Sequence, residues 1–362
     1  MGDSVVWGDG NKLDTKFSAK VAQQLADGTG RNVQLVTYAH SGARLLRVDD
    51  PASVVPVVDG ATQPDLNSQA PSTMDQEACA AVMDKDAEIL IVDGCINEVN
   101  ANKIALPFPF NWTTPKDIQE SVNVGCSQPM RSLLDRAKMD FSTATVVVLN
   151  YYQIVTSDAH LYTESVNGVK KETVHKGTPP EAVQELEQER QRLLAENPEV
   201  QPQAVQQQNF ALGLPSWQAN SKMFLDATTG CFQWAVAGVN GQAVPPLGKD
   251  PGCPAVTLPK PARATQGVRF FLVVLENKPE YGYGASDTHE WRLIPVAALP
   301  PVKVDDNMYD ERAPLCDKAY PSEQGAKNTC RINAIAHPNV KGAWAYADAI
   351  SEVLKTAWGP AN

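Results

Sequence analysis

The sequence predicts an α/β domain in which a parallel sheet is covered by helices on both faces. Two observations carry this. Short apolar, β-branched runs recur along the chain and alternate with segments of helical periodicity, the pattern of strands joined by crossover helices. The segments richest in chemically capable residues also follow those runs directly, at the strand ends where open α/β sheets bind ligands. The chain has 362 residues, 43% of them hydrophobic, which is ample for a full core. We read it as a single domain, 1–362, with one polar insertion at about 156–216.

Taken in order, Phe17 to Ala26 puts Phe17, Val21, Ala22 and Leu25 on one face and is expected to be a helix. Asn32 to Ala39 reads as a strand. Residues 49–73, rich in Pro, Asp and Ser, read as a long loop. Asp75 to Lys85 is a short helix, and Ala87 to Asp93 a short apolar strand ending at Gly94. Pro115 to Met139 contains a helix, with Pro115 suited to its first turn. Ala144 to Tyr152 is the most apolar β-branched run of the chain.

Residues 156–216 break this alternation. They hold a charged helix, Glu181 to Asn197, ended by Pro198, and a Gln-rich stretch from Gln201 to Gln208. The segment reads as an excursion from the sheet, either a lid or helical hairpin or a solvated insertion with no active role. Helical spacing returns from Trp217 to Val239. A Pro/Gly loop covers 241–266, and Val268 to Leu275 is another buried strand. A long loop runs to 336, before an amphipathic helix from Ala343 to Trp358. No internal repeat is present.

The 31 basic and 42 acidic side chains give a net charge of -11. Binding to a phosphate backbone needs clustered Lys and Arg, so nucleic acid is not expected as a partner. No apolar stretch reaches the length of a membrane-spanning helix. The opening residues carry neither the basic start nor the apolar run of a signal peptide. Seven cysteines, none in a CxxC pattern, make a zinc or thioredoxin-type site a poor reading. Cys231 with Cys253, and Cys316 with Cys330, would close short loops as disulfides and fit an exported protein. The other reading is seven buried or idle thiols in a cytosolic one.

Four segments concentrate the chemistry. Gly2-Asp3-Ser4 offers a hydroxyl, although this tripeptide alone recurs by chance. His40-Ser41-Gly42-Ala43 follows the strand from Asn32 to Ala39 and offers a small residue whose N–H can face a ligand. Asp93-Gly94-Cys95-Ile96-Asn97-Glu98 follows the next strand and offers a carboxamide. Ala336-His337-Pro338-Asn339 supplies an imidazole just before the last helix. Nucleophile, base and oxyanion donors are the parts that acyl transfer needs.

In this order and at these separations the four segments resemble the blocks of the SGNH hydrolases, the GDSL esterases and lipases. Residues 126–152 and 281–291 resemble the larger actinobacterial and fungal members. The resemblance implies a three-layer α/β/α, flavodoxin-like fold with a central parallel sheet. It implies a serine hydrolase that cleaves carboxylic esters through an acyl-enzyme and uses no cofactor or metal. Ser4 would be the nucleophile and His337 its base. The N–H of Gly42 and the side-chain amide of Asn97 would line the oxyanion hole. The substrate would be a small-molecule ester, a lipid or an acylated carbohydrate. Two other readings stand beside this one: a ligand-binding module without turnover, and an acyltransferase onto a sugar or alcohol.

The chain departs from the family pattern at several points. Cys95 stands where glycine is usual, and Glu98 where aspartate is usual. The triad acid normally lies three residues before the histidine, and that position is Ala334. Some family members orient the histidine with a backbone carbonyl, and that arrangement or a Ser-His dyad is expected for His337, although Asp305, Asp306, Asp310 or Asp317 in the preceding loop could fold back. Only three residues precede Ser4, so the strand that usually leads into the nucleophile is missing or replaced, and the insertion has no counterpart. Among the remaining histidines, His289 is a rival base because Asp287 lies close to it. His40 is expected to be structural or a pocket wall, and His160 and His175 are expected to be solvated. Asn111-Trp112-Thr113 is a glycosylation sequon.

Overall fold

The computed structural model describes residues 1–46, 57–58, 70–105, 113–159, 162–166, 169–173, 210–247, 252–258 and 269–358, the last span without 284, 286, 292, 295–302, 305, 323–326, 328–329 and 332–333. In chain order its main helices are α1 (Ser4–Trp7), α2 (Phe17–Thr29), α3 (Thr73–Met83), α4 (Ile96–Val99), α5 (Ala101–Ala105), α6 (Pro115–Val122), α7 (Gln128–Asp140), α8 (Phe210–Val239), α9 (Tyr309–Ala319) and α10 (Val340–Trp358). Its strands are β1 (Val36–Thr37), β2 (Val57–Val58), β3 (Ile89–Val92), β4 (Thr145–Leu149), β5 (Tyr162–Val166), β6 (Val169–Thr173), β7 (Arg269–Val273), β8 (Leu293–Ile294) and β9 (Lys303–Val304).

The molecule mixes helices and strands around a small parallel sheet in the order β3-β4-β7. Val92 pairs with Val148, and Leu149 with Val273, so the three strands end at nearly the same level. All five residues of β4 are buried, as a central strand covered on both faces requires. Burial of each such Val or Leu side chain contributes roughly 1.5–3 kcal/mol. Helix α2 packs on α10, while α6 and α7 pack on α8, and β7 touches both α8 and α10.

Local signals explain several boundaries. Helix α3 begins at Thr73, two residues before the expected start, because Ser72 and Asp75 form a reciprocal capping box. Thr114 and Asp117 do the same for α6, with Pro115 in its first turn. Between α6 and α7 the helix widens into a π-helical turn, Asn123–Ser127. The final helix starts at Val340 because the Asn339 side chain accepts from the N–H groups of Lys341 and Gly342.

Three expectations are corrected. The strand expected over 32–39 shrinks to Val36–Thr37, which pairs antiparallel with Val57–Val58 outside the three-strand sheet. Residues 31–34 are exposed, so this run lacks the burial that would hold it in a central position. The long loop expected before 336 contains β8, β9 and α9, built around a second small core of Trp291, Val304, Tyr309 and Ala334. Its helix carries an internal Pro314, which hid the periodicity. Helix α8 begins at Phe210, inside the span assigned to the insertion, and β5 and β6 form an antiparallel hairpin there. Glu181 to Asn197, Gln201 to Gln208, His160, His175 and Asn111 lie outside the described residues.

The position beside β3, where a leading strand was expected to be missing or replaced, is held by Met1 and Gly2. The Met1 nitrogen donates to the Ile91 carbonyl at 2.9 Å, and Asp93 N–H donates to the Met1 carbonyl at 3.3 Å. On the other side His40 N–H donates to the Gly2 carbonyl at 3.0 Å. The pattern is one rung of a parallel ladder, and it sets the level from which the chain turns into α1.

Candidate active site

The turn into α1 is fixed before it reaches Ser4. The amide of Gln76, fully buried, accepts from Gly2 N–H at 2.7 Å and donates to the Gly2 carbonyl at 3.0 Å. Gly2 has φ 148°, and a Cβ there would lie 1.8 Å from Asp93 Oδ1, so only glycine fits. Asp3 caps α1 by accepting from Val5 N–H at 2.9 Å. Its own N–H donates to Asp93 Oδ1 at 2.8 Å, and the Tyr151 hydroxyl donates to its Oδ2 at 2.5 Å. Burial pushes the Asp3 carboxyl up, and it pushes Asp93 well up, with the Asp3 charge adding to the effect. Two buried carboxyls in contact favour holding one proton between them.

The turn that carries Asn97 is tied to the same Tyr151, whose hydroxyl accepts from Ile96 N–H at 3.1 Å. Cys95, immediately before α4, has φ 141° and is joined to Cys126 of the π-helical turn by a disulfide with Cα atoms 5.2 Å apart. The bond fastens a residue whose backbone lies in a region that glycine would adopt freely. The Asn97 amide donates to the Ala43 carbonyl at 2.8 Å. That uses one of its two N–H groups.

Gly42 precedes Ala43 in a turn closed by Ala43 N–H donating to the His40 carbonyl at 3.1 Å. Its φ of 80° lies in the left-handed region that favours glycine, although the space is open, with the Ala70 Cβ the nearest atom at 3.8 Å. His40 Nδ1 lies 2.9 Å from the Ser41 carbonyl, consistent with a structural part in this turn.

His337 reaches Ser4 from the far end of the chain. Its Nε2 is 2.6 Å from Ser4 Oγ, and its Nδ1 is 3.1 Å from the Ile335 carbonyl. The loop is held by Ala336 N–H donating to the Trp291 carbonyl and Trp291 N–H donating to the His337 carbonyl. Tyr152 O–H donates to the Ala336 carbonyl at 2.5 Å, at a residue with φ 60°. Asn11 donates to the Pro338 carbonyl at 2.7 Å. No family model matches this chain, and no curated protein or solved structure does.

The rival residues fall elsewhere. His289 stacks on Tyr281 with ring centroids 3.9 Å apart, and Asp287 pairs with Lys341. Asp306 is locked to Arg312 in a buried two-pronged pair, and Asp317 pairs with Arg331 at 2.5 Å. Asp305 lies outside the described residues, and Asp310 is exposed on α9. Among the described residues no carboxylate faces His337 Nδ1; the Ile335 carbonyl does.

One carboxyl does stand on the other side of the ring, and sequence reasoning missed it. Asp9 Oδ2 lies 4.0 Å from His337 Nε2 and accepts from Ser41 O–H at 2.7 Å. Asp9 is 5% exposed, and burial raises its pKa against the opposing pull of His337, Ser41, Arg312 and Lys16. Helix α1 is one turn long and Gly8 ends it in a left-handed conformation, so the chain returns to the nucleophile within five residues. The Gly8-Asp9-Gly10 triplet was the available signal. Contacts thus run from Ser4 through His337, Asp9 and Ser41 to the Gly42 turn, and from Ala43 to Asn97. Among the described residues no cluster of metal-ligating side chains occurs, and no helix is long and apolar enough to cross a membrane.

Proposed function

We propose that the chain is a serine hydrolase that cleaves carboxylic esters through an acyl-enzyme on Ser4. The single observation that carries this is the 2.6 Å contact between Ser4 Oγ and His337 Nε2, made by residues 333 positions apart. A nucleophile within hydrogen-bond reach of a base, with that base oriented in turn by a third group, is the arrangement that activates a serine. Here the third group is the Ile335 carbonyl.

His337 takes the Ser4 proton as Oγ attacks the ester carbonyl, then returns it to the leaving alcohol. The N–H groups of Ser4 and Gly42 and the free N–H of Asn97 hold the oxyanion. Water then cleaves the acyl-enzyme. The substrate is a small-molecule ester, and no cofactor enters the scheme. The parallel sheet, whose central strand is buried on both faces, supports reading the fold as a three-layer flavodoxin-like sandwich of the SGNH kind. Labelling with a fluorophosphonate probe tests the proposal. The wild type is expected to label at one serine, and Ser4→Ala to lose the label entirely. Labelling that survives Ser4→Ala, or a wild type that never labels, sinks it.

A further inference from the structure

Resting on that reading, we propose that Asp9 is a catalytic residue that holds the hydrolytic water in the second half of the reaction and so selects water over alcohols as the acyl acceptor. Asp9 lies on the Nε2 side of His337, the side of Ser4 Oγ, and not on the Nδ1 side where a triad acid would be. Its Oδ2 takes one hydrogen bond, from Ser41, and a carboxylate oxygen has room for a second. Once Ser4 is acylated, its Oγ no longer holds Nε2, and the 4.0 Å between Nε2 and Asp9 Oδ2 becomes the place of the incoming nucleophile. An oxygen with ordinary hydrogen bonds of about 2.8 Å to both atoms subtends about 90°, close to the angle between the two O–H bonds of water.

The chemistry follows from counting protons. Water has two O–H groups. One points to Nε2, which takes that proton as the oxygen attacks the acyl carbonyl carbon. The other points to Asp9 Oδ2 and stays on the oxygen, becoming the acid proton of the product. The bond from the acyl carbon to Ser4 Oγ breaks, and Oγ recovers the proton from Nε2. An alcohol has one O–H. Given to Nε2, it leaves only lone pairs facing the Asp9 oxygen, which repels them. Burial raises the Asp9 pKa, while His337, Ser41, Arg312 and Lys16 pull the carboxyl back toward the ionised form, the form that discriminates.

The test uses the whole chain, p-nitrophenyl acetate as the ester and ethanol as the competing acceptor. The burst of p-nitrophenol reports acylation, and the ratio of ethyl acetate to acetate reports the choice of acceptor. Asp9→Asn is expected to keep the burst, slow acetate release, and raise that ratio about tenfold, because its amide donates to an alcohol oxygen instead of repelling it. Ser41→Ala keeps Asp9 but removes its tether, and is expected to raise the ratio by a smaller factor. A burst with an unchanged ratio in Asp9→Asn overturns the inference. Should that variant not fold, an unchanged ratio in Ser41→Ala does so. A wild type that releases p-nitrophenol no faster than Ser4→Ala instead overturns the esterase reading, and this inference with it.

Discussion

Asn97 is bound on one side and available on the other. Its link to the Ala43 carbonyl fixes the amide plane without exhausting its donors. Asn97→Ala removes one oxyanion donor and is expected to lower kcat by about 100- to 1,000-fold with little change in KM. Steady-state kinetics on a chromogenic ester measure this, and an unchanged kcat removes Asn97 from the site. The neighbouring Glu98 was readable only as a departure from the family pattern. In the structure its carboxyl accepts from Leu45 N–H, and its other oxygen is buried without a hydrogen-bond partner. The pairing of Ser4 with His337 was legible from four short segments taken together, in their order and separation, and not from either segment alone. Asp9 was not, because its role depends on a one-turn helix that folds it back onto the nucleophile.

At the scale of elements, β3, β4, β7, α2 and α10 were legible within a few residues because burial imposes their period. The pair β8 and β9 was not, and β1 was read as a strand but too long and in the wrong sheet. Such two-residue strands have their extent and partners set by tertiary pairing, which the local sequence does not carry. Disulfides divide in the same way. Cys231–Cys253 and Cys316–Cys330 close loops that the sequence spacing marked. Cys95–Cys126 joins the Asn97 turn to the π-helical turn, and nothing local in the sequence marks that meeting. Cys79 is the thiol left over. The loop closed by Cys95 and Cys126 spans 31 positions, so replacing both by alanine is expected to cost about 3–4 kcal/mol. Chemical denaturation measures that loss. A larger relative fall in kcat than for a Cys316/Cys330 double replacement is expected, because only the first bond fastens the turn bearing Asn97.

For the molecule as a whole, buried acids set the response to pH. Burial raises Glu98 to about 7 and Glu77 to about 8. Above about pH 4.5 the unfolded chain has released these protons while the folded one keeps them, so stability falls as pH rises toward 8. Lys16 works in the opposite sense at higher pH. Burial lowers it to about 8, so between there and its ordinary value the unfolded chain binds the extra proton and stability rises. His289, lowered by burial, adds a smaller rise with pH below its ordinary range. The buried Met1 ammonium, lowered by burial to about 6, likewise adds stability as pH rises from about 6 to 8, against the two glutamates. Glu77→Gln and Glu98→Gln are therefore each expected to make the melting temperature rise more, or fall less, between about pH 5.5 and 8 than it does in the wild type; an unchanged slope in both variants contradicts the two assignments.

The two partners of the central contact have different foundations. Ser4 is anchored by Met1, Val5 and Val6 in the main core, whereas His337 hangs from backbone bonds to Trp291 and Ala334 in the small second core. Serine reactivity is thus a joint gauge. It reads whether the loop bearing His337 keeps its seat beside the nucleophile turn, and it goes dark when either foundation loosens. A probe aimed at residue 4 would in practice also be reporting on residues 334–338.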